Sequence, residues 1–153
     1  MALRSHCRIV LMATTIKTLY DTDFAAWAAH TAKLLRAGRL DELDLENVAE
    51  EIEDLARSLH RAIRSQFVRM LKHKIKQMIQ PERDGTSWRG SIAGAMVEIQ
   101  SLLEDSASLR PYLAQNLQRF YRQAGKLAVI ETGLEHAEIP EKCPWTLESL
   151  LTE

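Results

Sequence analysis

The sequence predicts an all-α fold: four main helices, one of them a long spine, followed by a short C-terminal helix. Three observations carry this. Apolar residues recur at three- and four-residue spacing through long windows, and no window alternates with the period of two that a half-buried strand shows. Gly38, Pro81 and Gly133 fall just past the ends of those windows, where helices stop. The segment from Asp41 to Gln80 divides its charge. Residues 41–54 hold eight acids and no base, whereas residues 55–80 hold seven bases and no acid. Acid at the N-terminal end and base at the C-terminal end is the order that complements a helix macrodipole.

The first helix is expected from about Asp21 to Ala37, with Phe24, Trp27, Ala28, Thr31, Leu34 and Leu35 on its inner face. The spine follows a short acidic turn. Asp44 is placed to cap it, with Leu43 and Val48 as a hydrophobic staple. Its seam Leu45, Val48, Ile52, Leu55, Leu59 has coiled-coil spacing, and the apolar line then drifts through Ile63, Phe67 and Met70 until Pro81. The third helix starts from a Thr86/Ser87 cap and turns Trp88, Ile92, Met96, Ile99, Leu102 and Leu103 inward. Gly90 and Gly94, four apart on it, are read as a close approach to the first or second helix. Ser108 is placed to cap the fourth helix, with Pro111 tolerated in its first turn. Its stripe is Tyr112, Leu113, Leu117, Phe120, Tyr121, Ala124 and Leu127. The last helix begins at Thr146, with Trp145 and Leu150 as a second staple.

A length of 153 residues suits one domain, expected over residues 18–153. Residues 1–17 are read as an extension without a role in the core. Their apolar run, Ile9 to Ala13, is shorter than a secretory leader needs, and Met12 is the expected start of translation. No stretch approaches the ~18 apolar residues of a membrane span. Cys7 and Cys143 form no CxxC pair and read as reduced thiols of a cytoplasmic protein. Net charge near −1 disfavours general adhesion to nucleic acid, although local asymmetry survives a neutral total.

Several runs together resemble a known pattern. They are Asp23-x-x-x-Trp27, Leu34-Leu35-Arg36-x-Gly38 and Leu43-Asp44-x-x-Asn47-x-x-Glu50-Glu51-Ile52-Glu53 in the first third. Later come Gln80-Pro81-Glu82-Arg83, Ser87-Trp88-Arg89, Ser108-Leu109-Arg110-Pro111-Tyr112-Leu113, Glu131-Thr132-Gly133-Leu134 and Cys143-Pro144-Trp145-Thr146-Leu147. In order from Leu19 to the C-terminus, this is similar to the bacterial family catalogued as domain of unknown function 29. The chain departs from it at Lys76-Gln77-Met78-Ile79-Gln80-Pro81, where relatives commonly place Lys-Trp-Gln-Tyr-Gln-Pro. The resemblance implies a bacterial helical bundle and carries no activity to transfer.

Chemistry therefore rests on the residues. Glu53 and His60 border the apolar face of the spine, yet the chain has no Glu-x-x-His, His-x-x-x-His or Cys-x-x-Cys. A salt bridge of Glu53 with Arg57 or His60 outweighs a metal ligand. No serine lies in Gly-x-Ser-x-Gly and no glycine-rich phosphate loop occurs, so no catalytic residue, cofactor or metal is assigned. His73 is read as a satisfied interfacial histidine. Two surfaces stand out as partner-binding candidates: the charged stripe with Arg57, Arg61, Arg64 and Lys72, and the polar turn with Arg83, Trp88 and Arg89. Glu82 and Arg89 are expected to tie that turn to the fourth helix, with Trp88 anchoring the third. The leading expectation is a non-enzymatic interaction module that binds a protein partner or itself through this stripe and turn. The alternative is a nucleic-acid-associated protein using the basic half of the spine.

Overall fold

The computed structural model describes residues 19–134 and 139–152. The N-terminal extension and Cys7 lie outside the described residues. Every regular element among the described residues is helical. They are α1 (Phe24–Arg36), α2 (Leu45–Ile79), α3 (Thr86–Asp105), α4 (Leu109–Thr132) and the short α5 (Leu147–Leu151), with single 3₁₀ turns at Leu40–Glu42 and Pro81–Arg83. The chain forms two compact units, Met1–Ala56 and Arg57–Glu153. The boundary falls inside α2, where its acidic half gives way to its basic half.

In the first unit, residues 19–22 are helical and Asp23 then interrupts the run, its carboxylate accepting the Ala26 N–H at 3.0 Å. The helix thus starts at Phe24 rather than Asp21, because a free acceptor at Asp23 satisfies an otherwise orphaned donor. Trp27, Thr31 and Leu34 are buried, at i, i+4 and i+7. Leu19, Tyr20, Ala28, Leu43 and Val48 pack around Trp27 and Leu34, so both residues of the expected Leu43/Val48 staple join this cluster. Asp44 caps α2 as expected, with its carboxylate facing the Asn47 N–H at 3.5 Å and the Asn47 amide at 3.1 Å. Two expected core residues are exposed instead. Phe24 lies at the helix end, edge-on to Tyr20 and tilted against Trp27, and Leu35 falls one residue off the buried line. The coiled-coil seam is also largely exposed: Leu45, Ile52 and Leu55 are 58%, 64% and 64% exposed, while Val48 of the same seam packs on Trp27 and Leu34 of α1.

The second unit holds the main core. Ile63, Phe67, Met70, Leu71 and Ile75 of α2 pack with Ala95 and Ile99 of α3, Leu113, Phe120, Tyr121 and Ala124 of α4, and Leu147 and Leu150 of α5. Rings run through it, with Phe67 edge-on to Phe120 at 6.2 Å and Phe120 beside Tyr112 at 5.8 Å. His60 completes the row against Tyr112, ring centroids 4.3 Å apart.

The helix ends mostly follow local chemistry. α2 stops at Ile79, two residues before Pro81. Gly133 closes α4 at φ 73°, a left-handed conformation in which its N–H reaches the Val129 carbonyl. Thr146 caps α5 through the Ser149 N–H. Two caps differ from expectation. Gly85 precedes α3, and Ser108 sits before α4 in a helical conformation with no side-chain cap bond. Gly94 does mark a close approach to α2, since a Cβ there would meet the Arg69 guanidinium at 3.1 Å, whereas a Cβ at Gly90 would meet nothing within 4 Å. Leu127, expected in the core, is exposed at the rim of a cleft.

Candidate interaction surface

The basic half of α2 is partly consumed by its own unit. Glu131, at the end of α4, accepts from Lys72 at 2.6 Å and from Lys76 at 2.9 Å. Lys76 is buried, and its ammonium also lies 4.6 Å from the centre of the Trp88 ring, a cation–π contact. One carboxylate and one indole thus neutralise and cover two cations that the sequence alone leaves facing solvent. Nothing in the local pattern announces this, because Glu131 lies 59 residues from Lys72. Hydrogen bonding from Lys72 holds the Glu131 carboxyl below its usual range, with burial opposing and Lys76 adding to the effect. A depressed folded pKa gives stability that is present above the unfolded value and lost as pH falls through the folded one. Glu131→Gln should therefore cost about 1 kcal/mol at neutral pH, kept modest by the exposure of the carboxylate. It should also flatten the acid side of a melting-temperature profile. A variant with an unchanged profile would show that the two lysines stabilise nothing through Glu131.

The turn after α2 is held differently from expectation. Arg89 pairs with Asp84 through two nitrogens, at 2.7 and 3.0 Å, and Gln77 donates to the other carboxylate oxygen at 2.7 Å. Asp84 rather than Glu82 is the anchor, and it ties the turn to α2 rather than to the fourth helix. This donor set, Arg89 first, holds the Asp84 carboxyl below its ordinary value. Both Arg89 nitrogens meet the same Asp84 oxygen, so this pair closes inside the loop and offsets part of the charge that the turn presents. Arg83 is exposed on the same turn.

Arg57 and Arg61 are exposed and Arg64 is half-buried. Arg64 lines a cleft of about 330 Å³ between α2 and α4 with Ser65, Val68, Arg69, Lys72, Gln123 and Leu127. The solvent face of α4 adds Arg119, Arg122 and Lys126, which with Gln115, Gln118 and Gln123 line a neighbouring depression. Sequence reading missed these three cations, although their spacing of three and four residues places them on one helical face.

His73 differs from the satisfied histidine expected. Its Nδ1 is buried without a hydrogen-bond partner, and burial, then Lys72 and Lys76, push its pKa below the ordinary 6.5. The folded state resists protonation that the unfolded chain accepts below about pH 6.5, so stability should decline as pH falls from there. His73→Gln should lessen the fall in melting temperature between about pH 6.5 and 5. An identical slope would exclude His73 as its source. His60 stacks on Tyr112, and among the described residues no three of His, Cys, Asp and Glu converge as metal ligands would. Cys143 is a free thiol raised by burial, its sulfur 3.4 Å from the Trp145 carbonyl.

The acidic half of α2 lies in the first unit and presents another kind of surface. Besides Leu45, Ile52 and Leu55, this unit exposes Phe24, Leu35 and Leu40. Among its described residues the buried hydrophobic core is Trp27 and Leu34 alone. The described residues of the unit therefore display more large apolar side chains than they bury, an imbalance that marks interaction sites on small folded units. At 100° per residue, Leu45, Ile52 and Leu55 share one face of α2 with exposed Ala49 and Ala56. Glu46 and Glu53 border that face on one side and Glu51 on the other. Glu51 is held in place by the Tyr20 hydroxyl at 2.6 Å, and that hydrogen bond, followed by burial, pushes the phenol up to about 12. Residues 19–56 carry ten Asp/Glu against three Lys/Arg, so the ridge sits in a strongly acidic field.

A family model described as Domain of unknown function DUF29 matches residues 19–153. No curated protein and no solved structure matches the chain. Among the described residues no helix is long and apolar enough to cross a membrane.

Proposed function

We propose that this chain, which belongs to the DUF29 family, is an interaction module that recognises a protein partner through its long helix. One observation carries the reading: in the first unit the ridge Leu45–Ile52–Leu55 stays more than half exposed, whereas Val48 on the same helix packs against Trp27 and Leu34. Three large aliphatic groups left in water forgo roughly 1.5–3 kcal/mol each if fully buried, a driving force available to an incoming surface. The apolar acidic half thus supports the reading better than the stripe and turn singled out from sequence, where Lys72 and Arg89 already have carboxylate partners. A photo-crosslinking amino acid placed at Ile52 should give discrete adducts in extracts of the source cells, and one at Arg83 should give none. The same pattern from both positions would defeat the proposal.

A second reading is favoured by α4. In residues 57–153 there are fourteen Lys/Arg against eleven Asp/Glu, and Arg119, Arg122 and Lys126 line an open depression. A nucleic-acid-associated protein would use these with Arg61 and Arg64. Affinity for DNA or RNA should then fall steeply with salt and vanish in Arg61→Glu/Arg64→Glu, since phosphate contacts release counterions. Salt-insensitive or absent binding removes this reading.

A further inference from the structure

We infer that the occupant of the Leu45–Ile52–Leu55 ridge is a basic amphipathic α-helix of a partner protein, an inference that rests on the reading of the chain as an interaction module. The geometry of the ridge sets the shape of its complement. Leu45, Ile52 and Leu55 stand at i, i+7 and i+10, with Ala49 and Ala56 along one edge of the same face. Large side chains alternating with small ones give knobs and holes at helical spacing, which a second helix fills and a strand or flat loop does not.

Charge sets the chemistry of that helix. Glu46, Glu51 and Glu53 border the ridge, and residues 41–54 contain no base. A partner laid on the ridge brings its flanks within a few ångströms of these carboxylates, so lysine or arginine flanks attract and glutamate flanks repel. The same field repels the phosphates of nucleic acid and of anionic lipid. Two copies of this chain laid α2 against α2 fit poorly on two counts. Laid ridge against ridge, two copies oppose acid to acid. The basic half of α2 does not supply the complement either, because its apolar side chains Ile63, Phe67 and Met70 are 0% exposed inside their own core. The occupant must bring apolar and basic residues together on one accessible helix.

The test uses the full chain and three synthetic labelled peptides of about fifteen residues. One carries leucines at three-four spacing with lysine flanks, one carries the same leucines with glutamate flanks, and one is a scramble of the lysine peptide. Fluorescence anisotropy at near-physiological salt should show the lysine peptide binding with a Kd in roughly the micromolar range. The other two should bind at least about tenfold more weakly. Ile52→Ser/Leu55→Ser should lose that binding with an unchanged unfolding transition, and Glu46→Lys/Glu53→Lys should reverse the preference toward the glutamate peptide. Equal binding of the scramble would reduce the effect to bulk charge and overturn the inference. So would a dimer in sedimentation that Ile52→Ser abolishes, which would make a second copy the occupant. Removal of residues 2–17 that tightened peptide binding about tenfold would make the chain's own segment the occupant, again overturning it. Tighter binding of the glutamate peptide, with adducts still forming at position 52, would overturn the basic helix alone and leave the interaction module standing. Loss of those adducts together with all peptide binding would defeat both.

Discussion

Trp27→Ala should cost about 3–5 kcal/mol and unfold the first unit, a large-to-small change at its centre. The indole is 4% exposed, meets Tyr20 edge-on at 4.9 Å and Phe24 at 5.4 Å, and among the described residues shares the buried hydrophobic core of its unit with Leu34. Among its described residues this unit has no second cluster to absorb the loss, so α1 should come away as one cooperative piece. Hydrogen exchange reads this directly. Amides of residues 27–36 should lose protection, while those of residues 117–128, packed in the other core, should keep it. Arg61→Ala, on an exposed face, should cost under about 0.5 kcal/mol. Trp27→Phe makes a finer point. The indole Nε1 is buried without a hydrogen-bond partner, so replacing it removes an unsatisfied donor along with some ring area. The two effects oppose each other, and the net cost should stay within about 1–2 kcal/mol. Equal, small effects at Trp27 and Arg61 would invalidate the placement of the core.

What the sequence made legible was whatever a few adjacent residues decide. Asp44, Gly133 and Thr146 end or begin helices through bonds that reach no further than one turn, Pro81 ends one by sterics and its missing N–H, and all four do so where expected. Apolar periodicity likewise identified the faces of α3 and α4. It could not reveal whether another element arrives to cover a face. The seam from Leu45 to Leu59 and the line from Ile63 to Met70 look alike as patterns; one is largely bare and the other is wholly buried. The site suffered from the same limit. Arg57 to Lys76 read as a continuous basic stripe, and only tertiary structure brings Glu131 to Lys72 and Lys76 or sets Lys76 against Trp88. Charge counted along the chain drew attention to the basic half; apolar area left uncovered in the fold points to the acidic half.

The contrast between those two stretches of α2 yields the other large effect. Phe67→Ala should cost about 3–5 kcal/mol, whereas Ile52→Ala, on the same helix, should change stability by no more than about 0.5 kcal/mol. Phe67 is 0% exposed and lies edge-on to Phe120, so truncation opens a cavity among side chains that cannot collapse into it without moving α4. For a unit of this size each kcal/mol corresponds to roughly 4–8 °C, and the melting temperature should drop by well over about 10 °C. Phe120→Ala should be comparable. In a double-mutant cycle the pair should couple by about 0.5–1.5 kcal/mol beyond burial, the worth of the edge-to-face contact. Ile52 has no such surroundings at 64% exposure, and its aliphatic group contributes to stability only through helix propensity. If Ile52→Ala destabilised the chain as much as Phe67→Ala, the ridge would be a core face already covered in solution, and no partner helix would have room to dock on it.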